Sequence, residues 1–129
     1  MTIPAPSAAP GSYPKEGEMR WSKSERAFAQ EVFDRALNQE LQEVIQPAKK
    51  TAAEIKQASE LWELERYLTQ RRKEINRKYE YRASKLSYVF GTLLHEGRLT
   101  EHELRGLRED KLEAIRSDAD FLRRSDDPI

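Results

Sequence analysis

The chain has no cysteine, so it carries no disulfide, no thiolate metal site and no cysteine nucleophile. It has two histidines, His95 and His102, and neither stands in the Glu-x-x-His or His-x-x-Glu-His spacing of a helical metal site. Glycine is scarce. Gly97 and Gly106 sit where helices should stop, and no glycine-rich loop offers a phosphate cradle. No run approaches the roughly 18 apolar residues that would span a bilayer. The N-terminus lacks a basic segment followed by an apolar one, so it does not read as a secretory signal, and a cytoplasmic protein is expected. Charge of one sign is also missing: 23 Lys plus Arg balance 23 Asp plus Glu. A neutral chain is a poor candidate for general binding to nucleic acid or membrane surfaces. Glu63, Glu65 and Glu74 could serve as acids, but nothing in the sequence would raise the pKa of a carboxylate on an exposed helix. With no nucleophile beside a base, an enzyme is not expected.

What is present is helix. Residues 1–20 hold four of the six prolines and two of the five glycines, and their composition predicts a disordered tail ahead of a single helical domain, 21–129. Ser22 with Glu25 fits the capping box, in which hydroxyl and carboxylate satisfy two orphan amides. Phe28, Val32, Phe33, Ala36, Leu37, Leu41, Val44 and Ile45 follow at helical spacing, so a first helix is expected from about Ser22 to Gln46, before Pro47. Thr51 with Glu54 is a second possible capping box. The stretch from Pro47 to Ala58 reads either as a turn or two of helix or as a continuation of the first helix past a kink.

The stretch from Ser59 to Glu96 organises the rest. It contains no proline and one glycine, with Ser59 as a candidate N-cap. As one helix it would be roughly 55 Å long at 1.5 Å per residue. That is too long for a chain of this size to cover on all sides, so a partner chain is expected. Leu61, Leu68, Ile75, Tyr79, Leu86, Val89 and Leu93 form one stripe at alternating spacings of three and four, the pattern of helix-on-helix packing. Glu65, Arg72 and Arg82 interrupt it, and would be costly in a buried seam unless paired. The locally basic run Arg71–Lys78 reads either as a solvated face or as a docking patch for an acidic surface. Beyond Gly97, Thr100 with Glu103 makes a strong capping box for a short helix to about Arg105, and a last helix is expected from about Arg108 to Arg123. These short helices should fold back as a small head, burying Tyr88, Phe90, Leu93 and Leu94. The fold class is all-α: a long central helix packed against an N-terminal helix, with a head of short C-terminal helices.

The run LWELERYLTQRRKEINRKYEYRASKLSYVFGTLLHEGRL, residues 61–99, and the LTEHELRGLREDKLEAIR that overlaps it at 99–116 resemble the fluorescence recovery protein family. Similarity is strong over about half the chain and weaker from Trp21 to Ile45. The resemblance implies an all-helical homodimer without cofactor. Such a dimer binds the light-activated red form of the orange carotenoid protein, mainly through its C-terminal domain. It speeds the return to the resting orange form and promotes release from the phycobilisome. Trp62 matches a family tryptophan near the dimer interface and functional patch, and Arg72 matches a family arginine ten residues later. Where the family has histidine and aspartate, this chain has Glu65 and Arg66, which reverses a charge. A family phenylalanine that contacts the carotenoid protein falls on Tyr88, with Phe90 close by. The partner and dimer residues expected are therefore Trp62, Glu65, Arg66, Arg72, Tyr88 and Phe90. The alternative is a relative from a bacterium without phycobilisomes that keeps the dimer and binds a different protein. An antiparallel dimer centred between Leu68 and Thr69 would set Glu65 of one chain against Arg72 of the other, twice by symmetry. A register centred between Arg71 and Arg72 would pair Leu68 with Ile75 but stack arginines at the dyad.

Overall fold

The structure is a computed structural model that describes residues 20–126; the expected disordered tail, apart from Arg20, lies outside the described residues. All its regular elements are helical: α1 (Lys23–Ala53), α2 (Ala58–Lys78), α3 (Leu86–His95), a 3-10 turn (His102–Leu104) and α4 (Glu109–Asp126). The C-terminal half of α1 and α2 form an antiparallel stem. The N-terminal half of α1 is embedded in a head with α3, α4 and the loop between them.

α1 starts as its sequence dictates. The Glu25 amide donates to Ser22 Oγ at 3.1 Å, and Glu25 Oε1 accepts from the Ser22 amide at 3.0 Å, so both halves of the capping box form. Its apolar stripe, Ala29, Val32, Phe33 and Ala36, is buried in the head with Trp21. The helix does not stop at Gln46. It runs through Pro47 to Ala53, the continuation that the sequence also allowed. A proline removes one amide donor, and here the turns beyond it still have α2 alongside: Pro47 and Thr51 share a cleft with Leu64 and Tyr67. Thr51 and Glu54 consequently make no capping box. Thr51 lies inside α1 and Glu54 closes it. α2 is capped by Gln57 and Glu60 instead, not by Ser59.

The expected 38-residue central helix is two helices. α2 ends at Lys78, and residues 79–85 cross over to α3. Nothing local breaks the helix there, since the segment has neither proline nor glycine. Two tyrosines draw the chain onto α1. Tyr79 packs edge-on to Phe33 at 5.5 Å and donates its hydroxyl to Glu40 at 2.8 Å. Tyr81 meets the same Phe33 ring at 5.0 Å and donates to the Arg26 carbonyl at 3.1 Å. Tertiary contacts override helix propensity at this point.

The head closes around Phe90, Leu93, Leu104 and Ile115, each at most 1% exposed. α3 ends in a Schellman turn: the Arg98 amide donates to the Leu93 carbonyl, the Gly97 amide to the Leu94 carbonyl, and Gly97 takes φ +77°. The Thr100–Glu103 capping box forms as expected. α3 and α4 touch at Gly91, where a Cβ would lie 2.7 Å from Asp118 Cβ and 3.1 Å from the Ala119 amide. Only glycine permits that approach. The N-terminus of α1 is tied to α4 by a buried pair, Glu25 with Lys111 at 3.2 Å, both 3% exposed. Lys111 also stands 5.8 Å over the Trp21 ring. Burial would raise the Glu25 pKa. The Ser22 and Arg108 amides and the Lys111 ammonium outweigh it and bring the pKa down to about 2.

Candidate functional site

Two surfaces of the chain are candidates for a functional site. The first is the outer face of α2. Leu61, Trp62 and Leu68 are exposed, Trp62 at 56%, while Tyr67 is exposed in the cleft toward α1, and on α1 Leu41 and Ile45 are exposed as well. The interrupted stripe explains this arrangement. Its C-terminal members Ile75, Tyr79, Leu86, Val89 and Leu93 turn into the fold, while Leu61 and Leu68 remain outside, alternating with Glu65 and Arg72. Glu65 accepts from the Thr69 hydroxyl at 3.0 Å. Arg66 and Arg72 are exposed and form no ion pair among the described residues. A row of exposed large apolar side chains on one helix is a surface made to be covered.

The second surface is a groove of about 740 Å³ where the end of α2, the 79–85 segment and α3 meet α1. Its floor is a charge cluster centred on Glu40. That residue continues the buried face of α1, one turn beyond Ala36, and is 2% exposed. Its carboxylate accepts from Lys78 at 2.8 Å and from the Tyr79 hydroxyl at 2.8 Å, and lies 3.3 Å from Arg98 and 3.5 Å from Arg71. The three cations reach outward to Glu43, Glu74 and Glu96. Burial alone would raise the Glu40 pKa; the hydrogen bonds from Lys78 and Tyr79 and the charges of Lys78 and Arg98 lower it instead. Tyr79 is driven the other way, first by burial and then by its bond to Glu40. Arg98 is held protonated above all by its bond to Glu43.

Tyr88 stands at the groove wall with 43% of its surface exposed, so it does not belong to the head core where the sequence placed it. Phe90 is the opposite case. It is 0% exposed, with its ring 6.5 Å from Trp21, and a side chain buried there cannot contact a partner. The reason is helical geometry: residues two apart on α3 point to different sides, and the side of Phe90 faces the core and the Trp21 ring. Trp62, Glu65, Arg66 and Arg72 share α2. Tyr88 lies in the head, beyond Lys78, and Lys78 is itself roughly 24 Å along the helix axis from Trp62. A single chain therefore does not unite the two groups. The Glu40 cluster was missed in the sequence, although Glu40 falls on the repeat of Ala29, Phe33, Ala36 and Val44, where a carboxylate must be buried and paired. Among the described residues, no group of His, Asp and Glu is arranged to hold a metal ion, and no helix is long and apolar enough to cross a membrane.

A sequence model of the family described as photoprotection regulator fluorescence recovery protein matches residues 21–119. A fluorescence recovery protein of Synechocystis sp. PCC 6803 is 35% identical over 100 residues, covering 78% of this chain and 92% of the relative. The solved structure of the Fremyella diplosiphon fluorescence recovery protein superposes with a TM-score of 0.71 at 38% identity, covering 78% of this chain and 98% of the other. The Synechocystis structure superposes with the same TM-score at 35% identity and the same coverage.

The Glu40 cluster yields a prediction about stability. The folded pKa of Glu40 lies below its unfolded value of 4.5, so its contribution is fully present above the unfolded pKa and is lost as pH falls through the folded one. Glu40→Gln should cost about 2 kcal/mol near neutral pH, because a buried pair loses one partner while its cations keep others. In urea unfolding, the gap between wild type and variant should shrink as pH falls below about 4.5. A gap that does not change with pH would mean that the ionised carboxylate is not its source.

Proposed function

Since the chain belongs to the fluorescence recovery protein family, we propose that it works as a homodimer that binds the photoactivated orange carotenoid protein through that protein's C-terminal domain and accelerates its return to the resting form. It is a photoprotection regulator of the cytoplasm, acts without a cofactor and is not an enzyme. The carrying observation is the family match across residues 21–119, which takes in both the stem face with Trp62 and the head with its exposed Tyr88.

The dimer covers the outer face of α2. In the antiparallel register centred between Leu68 and Thr69, the two copies of Leu68 meet at the dyad, Glu65 faces the Arg72 of the second copy, and Trp62 falls opposite position 75 of that copy, where its stem joins its head. This register supplies what one chain lacks, bringing the tryptophan end of one stem near the head of the other. Acceleration requires that the dimer stabilise the barrier to closure of the carotenoid protein more than it stabilises the open red state. Exposed aromatic and arginine side chains, here Trp62, Arg72 and Tyr88, are the usual anchors of such contacts.

The charge pairing is tested by reversal. Glu65→Arg should raise the dimer dissociation constant up to about thirtyfold, two exposed pairs being worth up to about 1 kcal/mol each, and adding Arg72→Glu should bring it back. A double variant no tighter than the single one in sedimentation equilibrium would dismiss this register.

The function is tested by following the red-to-orange decay of photoactivated orange carotenoid protein in the dark. The chain should accelerate it, and Tyr88→Ala should remove most of the acceleration while leaving the dimer intact. A second reading, a family relative with another protein partner, is favoured by Glu65 and Arg66 standing where the family has histidine and aspartate. Absence of both complex and acceleration with carotenoid proteins from several sources would decide for it. Binding without acceleration would implicate the two charges, and Glu65→His with Arg66→Asp should then restore activity.

A further inference from the structure

The groove at the head separates its charges into two classes. Its four carboxylates are Glu40, Glu74, Glu80 and Glu96, and each is already engaged by an arginine or lysine. Three of its cations, Arg71, Lys78 and Arg98, are consumed in the same way. Two remain. Arg77 at the end of α2 and Lys85 at the start of α3 line the groove, are exposed, and form no ion pair or side-chain hydrogen bond among the described residues. Arg77 exerts only a long-range pull on Glu74. The first turn of α3 is already answered by a carboxylate, since Ser87 donates to Asp118 of α4 at 3.0 Å, so Arg77 and Lys85 alone carry the open charge of the groove. The half-exposed ring of Tyr88 lines the same groove, with Val89 and Thr92.

We infer that this groove is a docking site for an acidic, extended segment of a partner protein, with carboxylates on Arg77 and Lys85 and an apolar or aromatic side chain against Tyr88. The inference rests on the proposed function and specifies the chemistry of the partner's contact. Charge complementarity selects the occupant. An anionic segment meets two cations that form no ion pair among the described residues, whereas a cationic one would have to displace arginines and lysines from every carboxylate lining the groove. The volume of about 740 Å³ is within the range of sites that enclose a compact ligand group, about 300–1,000 Å³, and admits a short stretch of peptide. Recognition of acidic motifs by unpaired basic side chains is an established mode of peptide binding. The basic run 71–78 thus divides: Arg71 and Lys78 hold the fold, and Arg77 is left for a partner.

The test measures binding of photoactivated orange carotenoid protein to wild type, to Arg77→Glu with Lys85→Glu, and to the neutral pair Arg77→Gln with Lys85→Gln, from about 50 to about 300 mM salt, a range over which exposed charges become screened. Helix content and dimer state are checked for each, and Tyr88 is left in place. The reversed pair should bind at least tenfold more weakly at low salt, the neutral pair should fall between, and both should lose most of the salt dependence of wild type. Unchanged affinity and salt dependence in folded variants would overturn the inference while leaving the proposed function standing. If wild type itself engages no carotenoid protein, the proposed function fails and the groove is judged directly with a glutamate–tyrosine copolymer. Amide resonances of residues 77, 85 and 88 that shift on titration support the site, and a spectrum that does not change overturns it.

Discussion

Glu40 is the constraint on which the rest of the structure depends. One carboxylate in the middle of α1 is held by Lys78 and Arg71 from α2, by Tyr79 from the segment that leaves α2, and by Arg98 from the loop after α3. Those partners come from each part of the chain that has to meet α1 at the junction of stem and head. A buried carboxylate is costly unless every one of these contacts is made, so the cluster is satisfied in one arrangement and poorly satisfied in any other. It therefore ends α2 at Lys78, turns the chain at Tyr79 and brings the Schellman turn at Gly97 onto α1. The groove above it inherits both its shape and its pattern of spent and unspent charge.

Local signals in the sequence were dependable where the structure they specify is local. The Ser22–Glu25 and Thr100–Glu103 boxes, the stop at Gly97 and the last helix each rest on residues within a few positions of one another, and each forms close to where it was read. The errors share one cause. Thr51 and Ser59 look like caps in isolation, yet α1 passes through Thr51 because its last turns pack along α2, and α2 starts two residues ahead of Ser59 at a different cap. The segment 79–85 has the composition of a helix and is not one, because Tyr79 and Tyr81 gain more from Phe33, Glu40 and the Arg26 carbonyl than from continuing it. The sequence could not show those partners, which lie some 40 to 55 positions away.

The candidate site was legible in part. The interrupted stripe of α2 marked Leu61, Glu65, Leu68 and Arg72 as a face that an ordinary core would not accept, and those residues are exposed. Tyr88 and Phe90 could not be told apart, because both are aromatic, two positions apart and in the same helix; only the tertiary packing of α3, with Phe90 toward Trp21, decides that Phe90 is core and Tyr88 is surface. Glu65 and Arg66 set the charge of the stem face without taking part in the core, since both side chains are exposed. The two surfaces differ in character: the stem carries exposed apolar side chains interrupted by charge, and the head carries a concave groove with the half-exposed ring of Tyr88.

The governing role of Glu40 is tested most directly by hydrogen exchange of wild type and Glu40→Gln near neutral pH, read segment by segment. Local opening releases the elements that a lost contact no longer holds, and leaves others protected. The expected result is faster exchange in residues 75–99, the end of α2 through α3 and its closing turn, with 58–68 unchanged. Equal acceleration throughout the chain, or no change in 75–99, would contradict the claim that this carboxylate joins head to stem.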